Sequence, residues 1–145
     1  MTTTQRDIIT ETFPDAQAEI RRRLDDIWAT AAKRDFERLE SFHLYGPKFT
    51  EFKDGKPRGD AHTCAAGERM TFTMIDGPAV DMKDLAINVF GEVAIATFNG
   101  HFTGRIKGNP AAIDQQSTIV FAHVGGEWKV VHEHFSPIGG PPPRP

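Results

Sequence analysis

Two histidines flank a carboxylate near the end of this chain, His132-Glu133-His134, inside the run Gly126-Glu127-Trp128-Lys129-Val130-Val131-His132-Glu133-His134-Phe135-Ser136-Pro137. Residues two apart on a strand project from one face, about 7 Å from each other. The pair could therefore hold one metal ion, with His101 or His123 of a neighbouring strand as a third ligand. No carboxylate follows at a spacing that resembles a cupin metal motif, so no metal or other cofactor is expected. The same imidazoles can serve a pocket as acid, base or hydrogen-bonding group, or satisfy backbone and interface groups. A second candidate is Glu51, in the alternating stretch Lys48-Phe49-Thr50-Glu51-Phe52-Lys53. Turned into an apolar pocket with Phe49, it would be a proton shuttle near neutral pH; turned outward it would be solvated. Cys64 sits among alanines with no base adjacent in sequence, the setting of a buried, inert thiol.

The elements that must position these groups can be read from periodicity. Ile20, Leu24, Ile27, Trp28 and Ala31 form one apolar stripe, which predicts a helix over 15–33, with Pro14 and Asp15 at its start. Asp35 reads as the N-cap of a second, shorter helix with Phe36, Leu39, Phe42 and His43 on one side. A short strand over 48–53 follows, then a third helix from Asp60 to about Met70 in which Gly67 is unfavourable. Beyond Met70 the character changes to strands: an edge at 72–75 before an Asp76-Gly77-Pro78 turn, a strand near 86–90, a long one over 93–106, a loop at 107–111, a strand over 115–124, and the opening run. Gly100 and Gly104 are natural places for a bulge or bend in the long strand. One domain over 15–137 is expected, between a flexible start at 1–14 and a mobile glycine and proline tail at 138–145.

Composition narrows the function. The chain has 145 residues, enough for one core, and a net charge of −3, which leaves no basic field for nucleic acid. Arg21, Arg22 and Arg23 are offset by Glu19, Asp25 and Asp26 on the same helix. No run approaches the roughly 18 apolar residues of a membrane span, the first residues lack a signal-peptide core, and one cysteine suits a reducing compartment, so a cytoplasmic location is expected. Eleven phenylalanines against one tyrosine make an apolar pocket, fit for a hydrophobic small molecule. Apolar residues on both parities of the late strands, such as Val120 with Phe121 and Val130 with Val131, predict that a second subunit covers the outer face of the sheet, as a homodimer.

The element order, with Gly91-Glu92-Val93-Ala94 opening a strand, Thr118-Ile119-Val120-Phe121 in the penultimate strand and the Trp128 to Ser136 run at the end, resembles the SnoaL-like branch of the nuclear transport factor 2-like superfamily. The resemblance implies an α+β fold: a cone-shaped, curved, mostly antiparallel sheet with three N-terminal helices closing its concave face, often dimeric. It also implies a pocket used by isomerases, cyclases, dehydratases or noncatalytic association domains. Laid on the ketosteroid isomerases from Asp35, Glu51 falls at the position of their catalytic base. Their tyrosine position falls near Ile27 or Trp28 and their acid donor near Thr118, so no comparable oxyanion hole is expected. By resemblance to the association domains of calmodulin-dependent kinases, Val131, Glu133 and Phe135 would line the cone with Ile119, Phe121 and His123, leaving Trp128, His132 and His134 on the dimer side; a single bulge would reverse this. The expected catalytic groups are Glu51 and His123. The expected ligand-binding groups are Trp28, Phe49, Phe121, Glu133, Phe135, His132 and His134.

Overall fold

The structure, a computed structural model, describes residues 7–139. Residues 1–6 of the expected flexible start and 140–145 of the expected tail lie outside the described residues. The elements are α1 (Pro14–Ala32), α2 (Phe36–Ser41), β1 (Thr50–Lys53), α3 (Ala61–Met74), β2 (Ile75–Phe90), β3 (Val93–Ile106), β4 (Asn109–Val124) and β5 (Glu127–Pro137). They form an α+β fold with one sheet in the order β1-β5-β4-β3-β2, parallel only between β1 and β5.

Helices α2 and α3 begin where a side chain satisfies an exposed backbone donor, and α1 begins where a proline removes one. Pro14 opens α1, where its missing N–H costs nothing. Ile20, Leu24, Ile27 and Ala31 are buried in the core, while Trp28 on the flank of the stripe is half-buried. Asp35 caps α2 by accepting from the Arg38 N–H at 3.2 Å, and Asp60 caps α3 by accepting from the Thr63 N–H at 2.9 Å. The expected strand edge at 72–75 is largely the last turn of α3. Arg34 secures that helix end, donating to the carbonyls of Phe72 (2.8 Å) and Ile75 (3.0 Å) and pairing with Asp76 (2.8 Å). Its guanidinium thus reaches carbonyls at the end of α3 that have no partner within the helix.

The sheet departs from the expected strand limits for local reasons. Lys107 and Gly108, both at positive φ, make a two-residue turn, so β4 begins at Asn109 rather than at Gln115. Asp76-Gly77-Pro78 does not reverse the chain. It forms a bulge in the edge strand β2, and a second register shift follows between Lys83 and Ala86. Pro78 is tolerated there because an edge bulge does not need its missing N–H. β3 and β4 stay in continuous register from Val93 opposite Ala122 to Ile106 opposite Asn109, without a bulge at Gly100 or Gly104. Those glycines make room instead: a side chain at Gly100 would strike the Phe102 ring, and one at Gly104 would strike Ile75.

A third irregularity decides the faces of β5. Val120 pairs with His132 but Phe121 with Val130, so Val131 is an extra residue. Val130 is engaged on its other side by residues 42–44, its N–H donating to the Phe42 carbonyl (2.9 Å) and its carbonyl accepting from Leu44 (2.8 Å). The expected parity is therefore corrected for Trp128 and Val131. Trp128 and Val130 are buried on the concave side with Glu133, whereas Val131 is not, and His132 and His134 take the opposite face. The concave side packs Phe121, Ile119, Val130 and Trp128 into one cluster with Ile20, Leu24 and Leu39. Phe121 has no accessible surface. Phe121→Ala should lower the unfolding free energy by about 3–5 kcal/mol in a urea titration; a loss under about 1 kcal/mol would contradict this packing.

Candidate functional site

Between the helices and the concave face lies a cavity of about 390 Å³, within the range of small-molecule sites. Its walls come from every layer: Trp28 of α1, Phe72 of α3, Val80 of β2, Phe102 of β3, Ile119 of β4 and Phe135 of β5. The rings hold one another in place. Trp28 meets Phe102 edge-on at 5.6 Å, Phe102 meets Phe135 at 6.2 Å, and the Trp28 Nε1–H donates to Met82 Sδ at 3.4 Å. The polar lining is concentrated in a few groups. Glu51 and Lys53 reach the cavity from alternate positions of β1, Glu68 from α3 and Glu133 from β5, with Gln115 donating to Asp54 at 3.0 Å beside them.

Behind Glu68 and Glu133 lies His43, on the short segment after α2 whose pairing with Val130 fixes it over β5. Its side chain has no exposed surface. Nδ1 donates to the Leu39 carbonyl at 2.9 Å, and Nε2 faces Glu133 Oε1 at 2.8 Å and Glu68 Oε1 at 3.1 Å. A carbonyl can only accept, so Nδ1 carries a hydrogen. Burial opposes protonation of the ring, but hydrogen bonds and charge from Glu133 and Glu68 outweigh it and push the pKa up to about 10. His43 is thus an imidazolium at neutral pH. Burial holds the Glu68 carboxyl above its ordinary value against the opposing pull of His43, with the Glu133 charge adding to the rise. Glu68 Oε2 is buried and has no hydrogen-bond partner.

Cys64, one helical turn before Glu68 on α3, completes the cluster. Its Sγ lies 3.7 Å from Glu68 Oε1, 3.7 Å from Glu133 Oε2 and 3.4 Å from the Tyr45 hydroxyl that donates to it. Burial, then the charges of Glu133 and Glu68, push the thiol pKa up, and burial does the same for the Tyr45 phenol. Tyr45 stacks on His43 at 4.7 Å, and Phe49 closes on both rings edge-on.

The residues expected from the sequence are thereby divided. Glu51, Trp28, Glu133 and Phe135 line the cavity. Phe49 and Phe121 are buried in the core and are not part of its wall. His123 is exposed, tilted against Trp128 at 4.9 Å, outside the cavity. His132 hydrogen-bonds Thr50 Oγ1 at 2.8 Å on the outer side, and His134 borders a shallow outer depression with Thr97, Gln116, Thr118 and Ser136. Sequence reasoning missed His43 and Glu68 and treated Cys64 as inert. The spacing of Cys64 and Glu68 at i and i+4 was the available signal, but their partners lie on other elements, His43 before α3 and Glu133 69 residues beyond Cys64.

With this geometry in view, comparison with known proteins is informative about the fold. A family description of the SnoaL-like domain matches residues 20–139. Among solved structures, an NTF2-like family protein from Streptomyces avermitilis, provisionally assigned as a dehydratase, is 17% identical, with a TM-score of 0.77 over 88% of this chain and 99% of that one. An NTF2-like superfamily protein from Salmonella enterica is 20% identical, with a TM-score of 0.75 over 86% and 92%. The CamKII hub homology domain from Chlamydomonas reinhardtii is 18% identical, with a TM-score of 0.69 over 85% and 98%. No curated protein matches the sequence significantly. Among the described residues, no helix is long and apolar enough to cross a membrane.

The buried charge cluster should be visible in stability. His43→Ala leaves two carboxylates without their counter-charge and is expected to cost about 3–5 kcal/mol at pH 7 by urea unfolding. A cost under about 1 kcal/mol would mean that the ion pair is not held as described.

Proposed function

The chain belongs to the SnoaL-like domain family, and from the contents of its cavity we propose that it binds a hydrophobic carbonyl compound and transfers a proton on it. The observation that carries this reading is Glu51 and Lys53, a carboxylate and an ammonium, on one face of β1 at the polar part of an aromatic cavity. Glu51 takes a proton from the carbon next to the carbonyl. The C–H electron pair then moves onto the carbonyl oxygen, and the Lys53 ammonium stabilises the charge that develops there. Return of the proton to another carbon gives an isomer, and departure of a hydroxyl with that proton gives a dehydrated product. Trp28, Phe72, Phe102 and Phe135 hold the apolar body of the substrate and exclude water. His123 takes no part in this reading.

A second reading, supported by the likeness to the CamKII hub homology domain, is a noncatalytic ligand-binding or dimerisation module. The outer face of the sheet, with Ile95, Val120 and Val131 only half-buried beside His132 and the exposed Phe52, suits a second copy of the chain under either reading. A mass near twice that of the 16.1 kDa chain is expected by light scattering coupled to size exclusion, and Val120→Glu should shift it to monomer. A monomeric wild-type protein at micromolar concentration would refute the dimer.

Turnover separates the two readings. Against a panel of hydrophobic ketones and β-hydroxy ketones, proton exchange, isomerisation or water loss is expected. Glu51→Gln should reduce kcat by roughly 10²–10⁴-fold and Lys53→Met by about 10²–10³-fold. Binding that quenches Trp28 fluorescence, with no exchange of substrate protons in deuterated water, would favour the noncatalytic module.

A further inference from the structure

The cluster behind the cavity has more acceptors than hydrogens to serve them. His43 Nε2 carries one hydrogen and faces two carboxylate oxygens, at 2.8 and 3.1 Å. Cys64 Sγ also carries one and faces the same Glu68 Oε1 and a third oxygen, Glu133 Oε2, both at 3.7 Å. Each donor can satisfy only one oxygen, so lone pairs confront one another in a buried space, and Glu68 Oε2 has no hydrogen-bond partner at all. A cation at the centre, with the protons of Nε2 and Sγ released to solvent as it binds, would be coordinated by the nitrogen, the sulfur and the carboxylate oxygens together.

The positions fit such an ion. One donor atom each from His43, Cys64, Glu68 and Glu133 lies within 4.8 Å of the others. Tetrahedral coordination with Zn–N and Zn–O bonds near 2.0–2.2 Å and a Zn–S bond near 2.3 Å sets donor atoms roughly 3.3–3.6 Å apart. Glu68 Oε1 lies 3.7 Å from Sγ and 3.1 Å from Nε2, close to these values, while Glu133 presents Oε2 to Sγ at 3.7 Å and Oε1 to Nε2 at 2.8 Å, so a small rotation of its carboxylate offers one oxygen to the ion. The hydrogen bond from Nδ1 to the Leu39 carbonyl is the outer contact that orients a ligating histidine through its other nitrogen. Thiolate with imidazole favours zinc over magnesium or calcium, which take oxygen ligands.

We propose that His43 Nε2, Cys64 Sγ, Glu68 and Glu133 form a closed, four-ligand site for Zn²⁺, joining the end of α2, α3 and β5 behind the cavity. The site adjoins the Glu51 of the proton-transfer reading, which interacts with Cys64 and Glu68, but it uses neither Glu51 nor Lys53 as a ligand. It also differs from the His132 and His134 arrangement that sequence spacing raised, because those residues lie on the other face of β5.

Untagged, chelator-stripped full-length protein titrated with Co²⁺ should bind one equivalent. The expected spectrum has the strong visible bands of tetrahedral cobalt and a near-ultraviolet thiolate-to-cobalt charge-transfer band, both bleached by Zn²⁺. Cys64→Ser, nearly isosteric, should remove the charge-transfer band, and Glu133→Gln should weaken Zn²⁺ binding at least about 10-fold. Circular dichroism should show that both variants fold, and a double His132→Ala, His134→Ala variant should bind as the wild type does. Absence of a one-to-one cobalt complex would overturn the site. So would a complex that keeps its spectrum in Cys64→Ser or loses it in the double histidine variant. The cobalt titration needs no substrate or turnover, so failure of the proton-transfer reading would show separately, in the Glu51→Gln kinetics.

Discussion

An imidazolium sealed between two carboxylates is the interaction on which the rest of this structure depends. Desolvating each of those charges costs several kcal/mol, and only close geometry with further hydrogen bonds offsets it. His43 meets that condition because Leu39, one turn earlier, accepts from Nδ1 while Glu68 and Glu133 meet Nε2. The three elements that supply these groups are thereby held in one relation, and Tyr45 and Phe49 close the space around the ring. The helices are tied to the sheet at this point by charge as well as by apolar packing.

That constraint explains why a cavity persists in a core otherwise filled by phenylalanine, leucine and isoleucine. The carboxylates of Glu51, Glu68 and Glu133 and the Lys53 ammonium border one region. Collapsing the aromatic walls onto them would strip their remaining water and leave them poorly paired. Gly100 and Gly104 contribute from the other side, since they let Phe102 and Ile75 lie along the sheet. The space is thus preserved by polar groups that resist burial at one end and by absent side chains at the other.

Much of the fold was legible in the sequence. The α1 stripe, the Asp35 and Asp60 caps, the long β3 and the Trp128 run all follow from periodicity and local chemistry, and their order carries the superfamily resemblance. The bulges were not legible. Val131 is an ordinary strand residue, and only the pairing of Val130 with residues 42–44 makes it the extra one, so the side taken by Trp128 was misread. His43 and Glu68 were missed for a related reason. His43 after α2 and Glu68 in α3 each have bland neighbours in sequence, and their meaning arises from contacts between separate elements. Glu51 was found because alternation in a short strand is local information.

The outer edge of the sheet bears on how such a chain can associate. β2 is a sixteen-residue edge strand, long enough to template another strand. Yet it carries Pro78, two breaks in register, and Asp76, Asp81, Lys83 and Asp84 along its length. Unpaired backbone groups there are out of line and flanked by charge, which blocks continuous strand addition and the open-ended growth it permits. The opposite edge, β1, is only four residues long. With both borders closed to lateral pairing, the broad face of the sheet is the surface left for the proposed second copy, and a contact made there would end in a finite pair.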